Sequence, residues 1–105
     1  EAIAIRVPVT KVSLIDLTII TKESLTVDAI NAAFTKAAHG PMKGILAITK
    51  EQLVSSDFNG NSHSSIVDSL LTTTCGQYSG KAFGWYDNEW GYSCRLKDFL
   101  LSVSK

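Results

Sequence analysis

The stretch Trp85-Tyr86-Asp87-Asn88-Glu89-Trp90-Gly91-Tyr92 gathers four aromatic rings, two carboxylates and one side-chain amide. An Asn side chain carries both a donor and an acceptor, so Asn88 can pair with a primary carboxamide in both directions. A neighbouring ring can lie against a flat heterocycle. The pattern therefore suits recognition of a planar, amide-bearing ligand of the nicotinamide kind. It suits equally well a helix start capped by Asp87 or Asn88, with the aromatics in a core. The residues alone leave both readings open.

Elsewhere the reactive side chains are scattered. His39 falls at the end of an expected helix, where an imidazole meets the negative end of the helix dipole. His63, in Asn61-Ser62-His63-Ser64-Ser65, could act as a base beside a serine. The glycines that would frame a nucleophile elbow are absent, so a turn-stabilising polar cluster is the expected role. Cys75 and Cys94 have no histidine close in sequence, and two cysteines alone make no metal site. Arg95 could lower the pKa of its neighbour Cys94, but a buried or inert thiol is the expectation for both cysteines. No GxGxxG or GxxxxGK[ST] run is present to cradle a phosphate. The sequence holds no complete catalytic set.

The chain that must position these residues has 105 residues, ten basic and ten acidic, with a formal net charge of zero. One domain is the most this length accommodates, and 45% hydrophobic residues suffice for a core. The charge balance argues against a general nucleic-acid binder. No stretch reaches the roughly 20 apolar residues of a membrane span, and nothing resembles a signal peptide. A cytoplasmic protein is the default expectation. The chain opens at Glu1 without a methionine, directly into strand-like alternation, which suggests a piece cut from something longer. A short natural domain is the alternative.

Residues 2–8 read as a strand ended by Pro8, and residues 11–21 as a long β-branched second strand. Asp16 intrudes on the latter and should face solvent or pair with a base such as Arg6. Thr26 reads as an N-cap, with Val27, Ile30, Phe34, Ala37 and Ala38 at helical spacing and Gly40-Pro41 as the stop, giving a helix over 26–39. From 44 to 83, GILAI, LVSSDF, HSSIV, LLTTT and KAFGW read as short strands. A last helix begins near 88, with Tyr92, Leu96, Phe99, Leu100 and Val103 as a wide apolar stripe that needs cover. The order β-β-α-β-β-β-β-α predicts an α+β fold, two helices on a mostly antiparallel sheet.

WYDNEWGYS resembles the C-terminal signature of the phosphorylating, NAD-dependent glyceraldehyde-3-phosphate dehydrogenase family. The resemblance extends through Ala4-Ile5-Arg6-Val7-Pro8, Val12-Ser13-Leu14-Ile15-Asp16-Leu17, Gly40-Pro41-Met42-Lys43-Gly44-Ile45-Leu46, Leu53-Val54-Ser55-Ser56-Asp57-Phe58 and His63-Ser64-Ser65-Ile66-Val67-Asp68, in the family's order. It covers essentially the whole chain, departing from the family's pattern at Val9, Cys94 and over 70–84.

The resemblance implies that residues 1–105 are the C-terminal portion of the family's catalytic domain, with a final helix over about 88–105 that packs on an N-terminal Rossmann domain absent here. It implies phosphate binding by Arg6, nicotinamide contact by Asn88 and packing of Tyr92 near the cofactor ring. The family's nucleophilic cysteine and general-base histidine precede this stretch, so the resemblance implies no catalytic residue and no metal ligand here. Thr73-Thr74-Cys75-Gly76 looks like the nucleophile motif but falls in a late strand. The implied parent oxidises glyceraldehyde 3-phosphate with NAD and inorganic phosphate to the acyl phosphate 1,3-bisphosphoglycerate, in glycolysis. It is a cytoplasmic homo-oligomer with no nucleic-acid or membrane partner. An erythrose-4-phosphate dehydrogenase and a non-catalytic self-association module on the same scaffold are the alternatives.

Overall fold

A computed structural model describes residues 2–104 of the chain. The first regular element is strand β1, Ser13–Ile20, followed by helix α1, Val27–His39. Strand β2, Leu46–Thr49, a 3-10 turn over Ser55–Phe58 and strand β3, Ser65–Asp68, come next. The short β4, Thr73–Thr74, the long β5, Ser79–Tyr86, and helix α2, Trp90–Val103, complete the chain. The strands form one sheet ordered β1-β5-β3-β2, with β4 also on β5. Only β2 and β3 run parallel; β1, β3 and β4 all pair antiparallel with β5. The α+β class and the mostly antiparallel sheet are therefore as expected.

β3 is buried on both faces, and its alternation divides the core in two. Ile66 faces a cluster with Val12 and Phe58, to which Ala47, Leu53 and Trp85 add their apolar surface. Val67 faces the opposite way, into Ala38 and Leu46 beneath α1, with Phe34, Ala37 and Ile48. Successive strand side chains point to opposite faces, so one four-residue strand can serve both layers. The Phe58 and Trp85 rings stack at 5.4 Å between centroids.

Helix α1 starts where its cap predicts. Thr26 Oγ1 accepts from the Ala29 N–H at 3.1 Å, and Gly40 N–H closes the other end on the Ala37 carbonyl. A polar net ties the helix to the β3–β4 connection: Thr72 Oγ1 donates to Asn31 Oδ1, and Asn31 Nδ2 donates to the Ser69 carbonyl. Helix α2 is held differently. Gly91 is buried against the 63–64 backbone, and Arg95 donates to the Gly44 and Ser62 carbonyls and to Ser64 Oγ. Its apolar residues Leu96, Phe99, Leu100 and Val103 stay exposed.

Several local expectations are corrected. Residues 2–8 form no strand: Ile3 is 87% and Ile5 78% exposed. Alternation makes a strand only where a neighbouring edge offers hydrogen-bond partners, and among the described residues none lies beside this segment. LVSSDF is not a strand but the 3-10 turn, because the Asp57 carboxylate takes the Val54 N–H at 2.8 Å and curls the backbone. LLTTT shrinks to Thr73–Thr74, its Thr72 hydroxyl being engaged by α1. Asp16 does face solvent and pair with a basic group, but that group is Lys81, at 2.7 Å on the adjacent strand, rather than Arg6. Of the buried or inert thiol expected at Cys75, the burial does not hold: Cys75 is exposed, in the connection between β4 and β5. The last helix spans Trp90–Val103, and Lys105 lies outside the described residues. No helix among the described residues is long and apolar enough to cross a membrane.

Candidate functional site at the β5–α2 junction

The register of β1 on β5 sets the site. Ser13 pairs with Tyr86, so the first residue of β1 meets the last residue of β5, just before the chain turns into α2. From there the Ser13 hydroxyl donates to Oδ1 of Asn88 at 3.1 Å. Asn88 is exposed, and no partner for its Nδ2 occurs among the described residues. The amide is thus tethered through its carbonyl and presents its donor group outward.

Asp87 performs the capping. Its Oδ1 accepts the Trp90 N–H at 3.2 Å, three residues on, satisfying one free donor of the first turn of α2. Its Oδ2 accepts the Gly60 N–H at 2.9 Å, which ties the helix start to the 59–60 turn. Asp87 is only 4% exposed. The Gly60 N–H, with the Trp90 and Glu89 N–H groups and the Lys11 charge, holds its carboxyl below the ordinary value, against the opposing push of burial. A buried carboxylate that accepts backbone N–H groups stays ionised for this reason. Beside it lies an open cleft of about 170 Å³ lined by Lys11, Asn59, Gly60, Glu89, Trp90 and Ser93 as well as Asp87.

Backbone strain sits next to this junction. Val12 has φ 69°, the left-handed region that a β-branched residue very rarely adopts. Its side chain is 3% exposed, locked among Phe58 and Ile66. The packing over-determines the conformation, and the next residue is Ser13.

The structure gathers some of the sequence-derived candidates and separates others. Asn88 stands at the junction, with Tyr92 one turn further along α2 and exposed. Arg6 lies in the irregular, exposed segment that precedes β1, and forms no ion pair among the described residues. His39 Nδ1 contacts the Thr35 carbonyl, and His63 Nδ1 contacts Asn61 Oδ1, both at local structural positions. The residues that sequence reasoning overlooked are Ser13 and Lys11. A serine at a strand start carries no local signal of what it faces, because only the β1–β5 register brings it to Asn88. Among the described residues no three His, Cys, Asp or Glu side chains converge as a metal group would require.

Comparison with known proteins agrees over nearly the whole chain. The family described as glyceraldehyde 3-phosphate dehydrogenase, C-terminal domain, matches residues 1–88. Glyceraldehyde-3-phosphate dehydrogenase 2 of Bacillus subtilis is 45% identical over 104 residues, 99% of this chain and 31% of that protein. The chloroplastic glyceraldehyde-3-phosphate dehydrogenase GAPB of Arabidopsis thaliana is 50% identical over 105 residues, covering 99% of the chain and 24% of the plant protein. The enzyme of Sclerotinia sclerotiorum is 45% identical over 102 residues, 97% of this chain and 30% of the relative. The chain spans under a third of the length of these relatives.

Proposed function

The chain belongs to the glyceraldehyde-3-phosphate dehydrogenase family, matching its C-terminal domain, and from that membership we propose that residues 1–105 are the C-terminal portion of a phosphorylating, NAD-dependent dehydrogenase. The single observation carrying this reading is the 45% identity to a dehydrogenase over 99% of the chain. The reaction is the oxidation of glyceraldehyde 3-phosphate with inorganic phosphate to the acyl phosphate, NAD accepting the hydride. A cytoplasmic place in glycolysis goes with it.

The donor set at the junction suits the nicotinamide end of the cofactor. Asn88 offers an exposed amide, donor and acceptor together, to a carboxamide. Tyr92 offers an exposed ring close by in sequence. NAD supplies the hydride acceptor when bound, and the remainder of its binding site belongs to a Rossmann portion outside these residues. Arg6 serves the phosphate, either the substrate's or the attacking one, because its planar fork of donors matches an oxyanion. The nucleophilic cysteine and the general base lie outside these residues as well. The 105 residues alone therefore bind NAD weakly and catalyse nothing.

The exposed apolar residues of α2 support packing on that Rossmann portion, and those of β1 support contact within a homo-oligomer. The test is assembly of the chain with the part of the Bacillus subtilis relative that it does not match. Phosphate-dependent reduction of NAD by the assembly, and none by the chain alone, is the expected result. A soluble assembly that reduces no NAD overturns the proposal.

A further inference from the structure

We infer that Ser13 is a positioning residue for the cofactor amide, acting through Asn88; the inference rests on the reading of Asn88 given above. Three features converge on this serine. Its hydroxyl donates to Oδ1 of Asn88 at 3.1 Å, bridging 75 residues of sequence. The strained Val12 immediately before it is held at φ 69° by a buried side chain, which fixes the direction from which β1 sets out. The Asp87 carboxylate, on the other side of Asn88, pins the backbone to Gly60 and Trp90.

Asn88 would be mobile without these contacts. It is exposed, it precedes the helix, and its own neighbour Glu89 makes no side-chain cap bond. A side-chain amide that rotates freely must lose that freedom when ligand binds, and the cost appears as weaker affinity. Ser13 removes part of this freedom in advance. Occupying one lone pair of the Asn88 carbonyl leaves its second lone pair and both Nδ2 hydrogens for a carboxamide. Among the described residues the Ser13 hydroxyl makes its one hydrogen bond to Asn88, so its effect falls on cofactor affinity rather than on the chemical step.

The measurements use the assembly described above, with NAD as the probe and equilibrium binding followed by tryptophan fluorescence. Ser13→Ala should raise the Kd and KM for NAD about fivefold, the worth of one hydrogen bond, with kcat nearly unchanged. Ser13→Thr, which keeps the hydroxyl, should restore both. In an Asn88→Ala background, Ser13→Ala should have no further effect, since the pair acts as one unit. In the chain alone, the Asn88 side-chain amide should show slower internal motion by nuclear magnetic resonance than in Ser13→Ala. A wild-type assembly that neither binds nor reduces NAD defeats the functional reading, and this inference with it. A working wild-type assembly in which Ser13→Ala leaves NAD affinity intact, or loses it equally without Asn88, overturns the inference alone.

Discussion

The Gly60 N–H meets the Asp87 carboxylate at 2.9 Å, joining the turn after Phe58 to the start of α2 across 27 residues of sequence. Because the same carboxylate also caps α2 through Trp90, one buried ionised group fixes both the helix and the residue beside it, Asn88.

This arrangement gives stability a definite dependence on acid. The folded-state pKa of Asp87 lies below its ordinary value of 3.8. Its contribution is therefore complete above that ordinary value and is lost as pH falls through the folded-state value. Urea midpoints should decline in this acidic window. Asp87→Asn should remove Asp87's share of the decline and cost about 1–3 kcal/mol at neutral pH, because its amide sets an NH₂ group against one of the two backbone donors. Equal midpoints for the two proteins at neutral pH would contradict this.

Gly91 is required by close approach rather than by backbone freedom. A Cβ there would lie 2.8 Å from the His63 carbonyl oxygen and 3.5 Å from Ser64 Cα, both main-chain atoms that cannot swing aside. Gly91→Ala should destabilise by about 1–3 kcal/mol, outweighing the better helix propensity of alanine. Chemical denaturation measures it, and a stabilised variant would show that α2 is free to shift.

Phe58 closes the core beneath Val12 and Ile66 and stacks on Trp85. Phe58→Ala should cost about 3–5 kcal/mol, a large share of what a domain of this size possesses. Altered Trp85 fluorescence should accompany the loss. A change below 1 kcal/mol by the ~25 cal/mol per Å² scale would mean that the ring is not truly removed from water.

For Arg6 the expected effect is on the phosphate. Arg6→Ala in the assembled enzyme should raise the KM for inorganic phosphate or for the phosphorylated aldehyde by about ten- to hundredfold, the range of a charge-assisted bond. Steady-state kinetics with each substrate varied in turn separates the two. Unchanged KM values for both would remove Arg6 from the site.

The Asp16–Lys81 pair contrasts with these. Both side chains are substantially exposed, 50% and 40%, so water screens the attraction. Asp16→Ala should change stability by less than about 1 kcal/mol, and added salt should erase even that. A larger loss, measured by urea denaturation, would show that the β1–β5 pairing depends on the charge pair.

The sequence by itself determined α1, because Thr26, the apolar spacing from Val27 to Ala38 and Gly40 are all local signals within one helix. It likewise marked β1 and β5 by their β-branched and aromatic runs, and the amide among aromatics from Trp85 to Tyr92 by composition alone. Similarity along the chain then gave the family. Tertiary structure decided what each strand meets. The strand-like alternation of residues 2–8 found no edge to pair with, Asp16 found Lys81 instead of Arg6, and Ser13 found Asn88. Periodicity reports which face of an element is apolar and so limits its register, whereas the choice of partner depends on two distant segments together and cannot be read from either one alone.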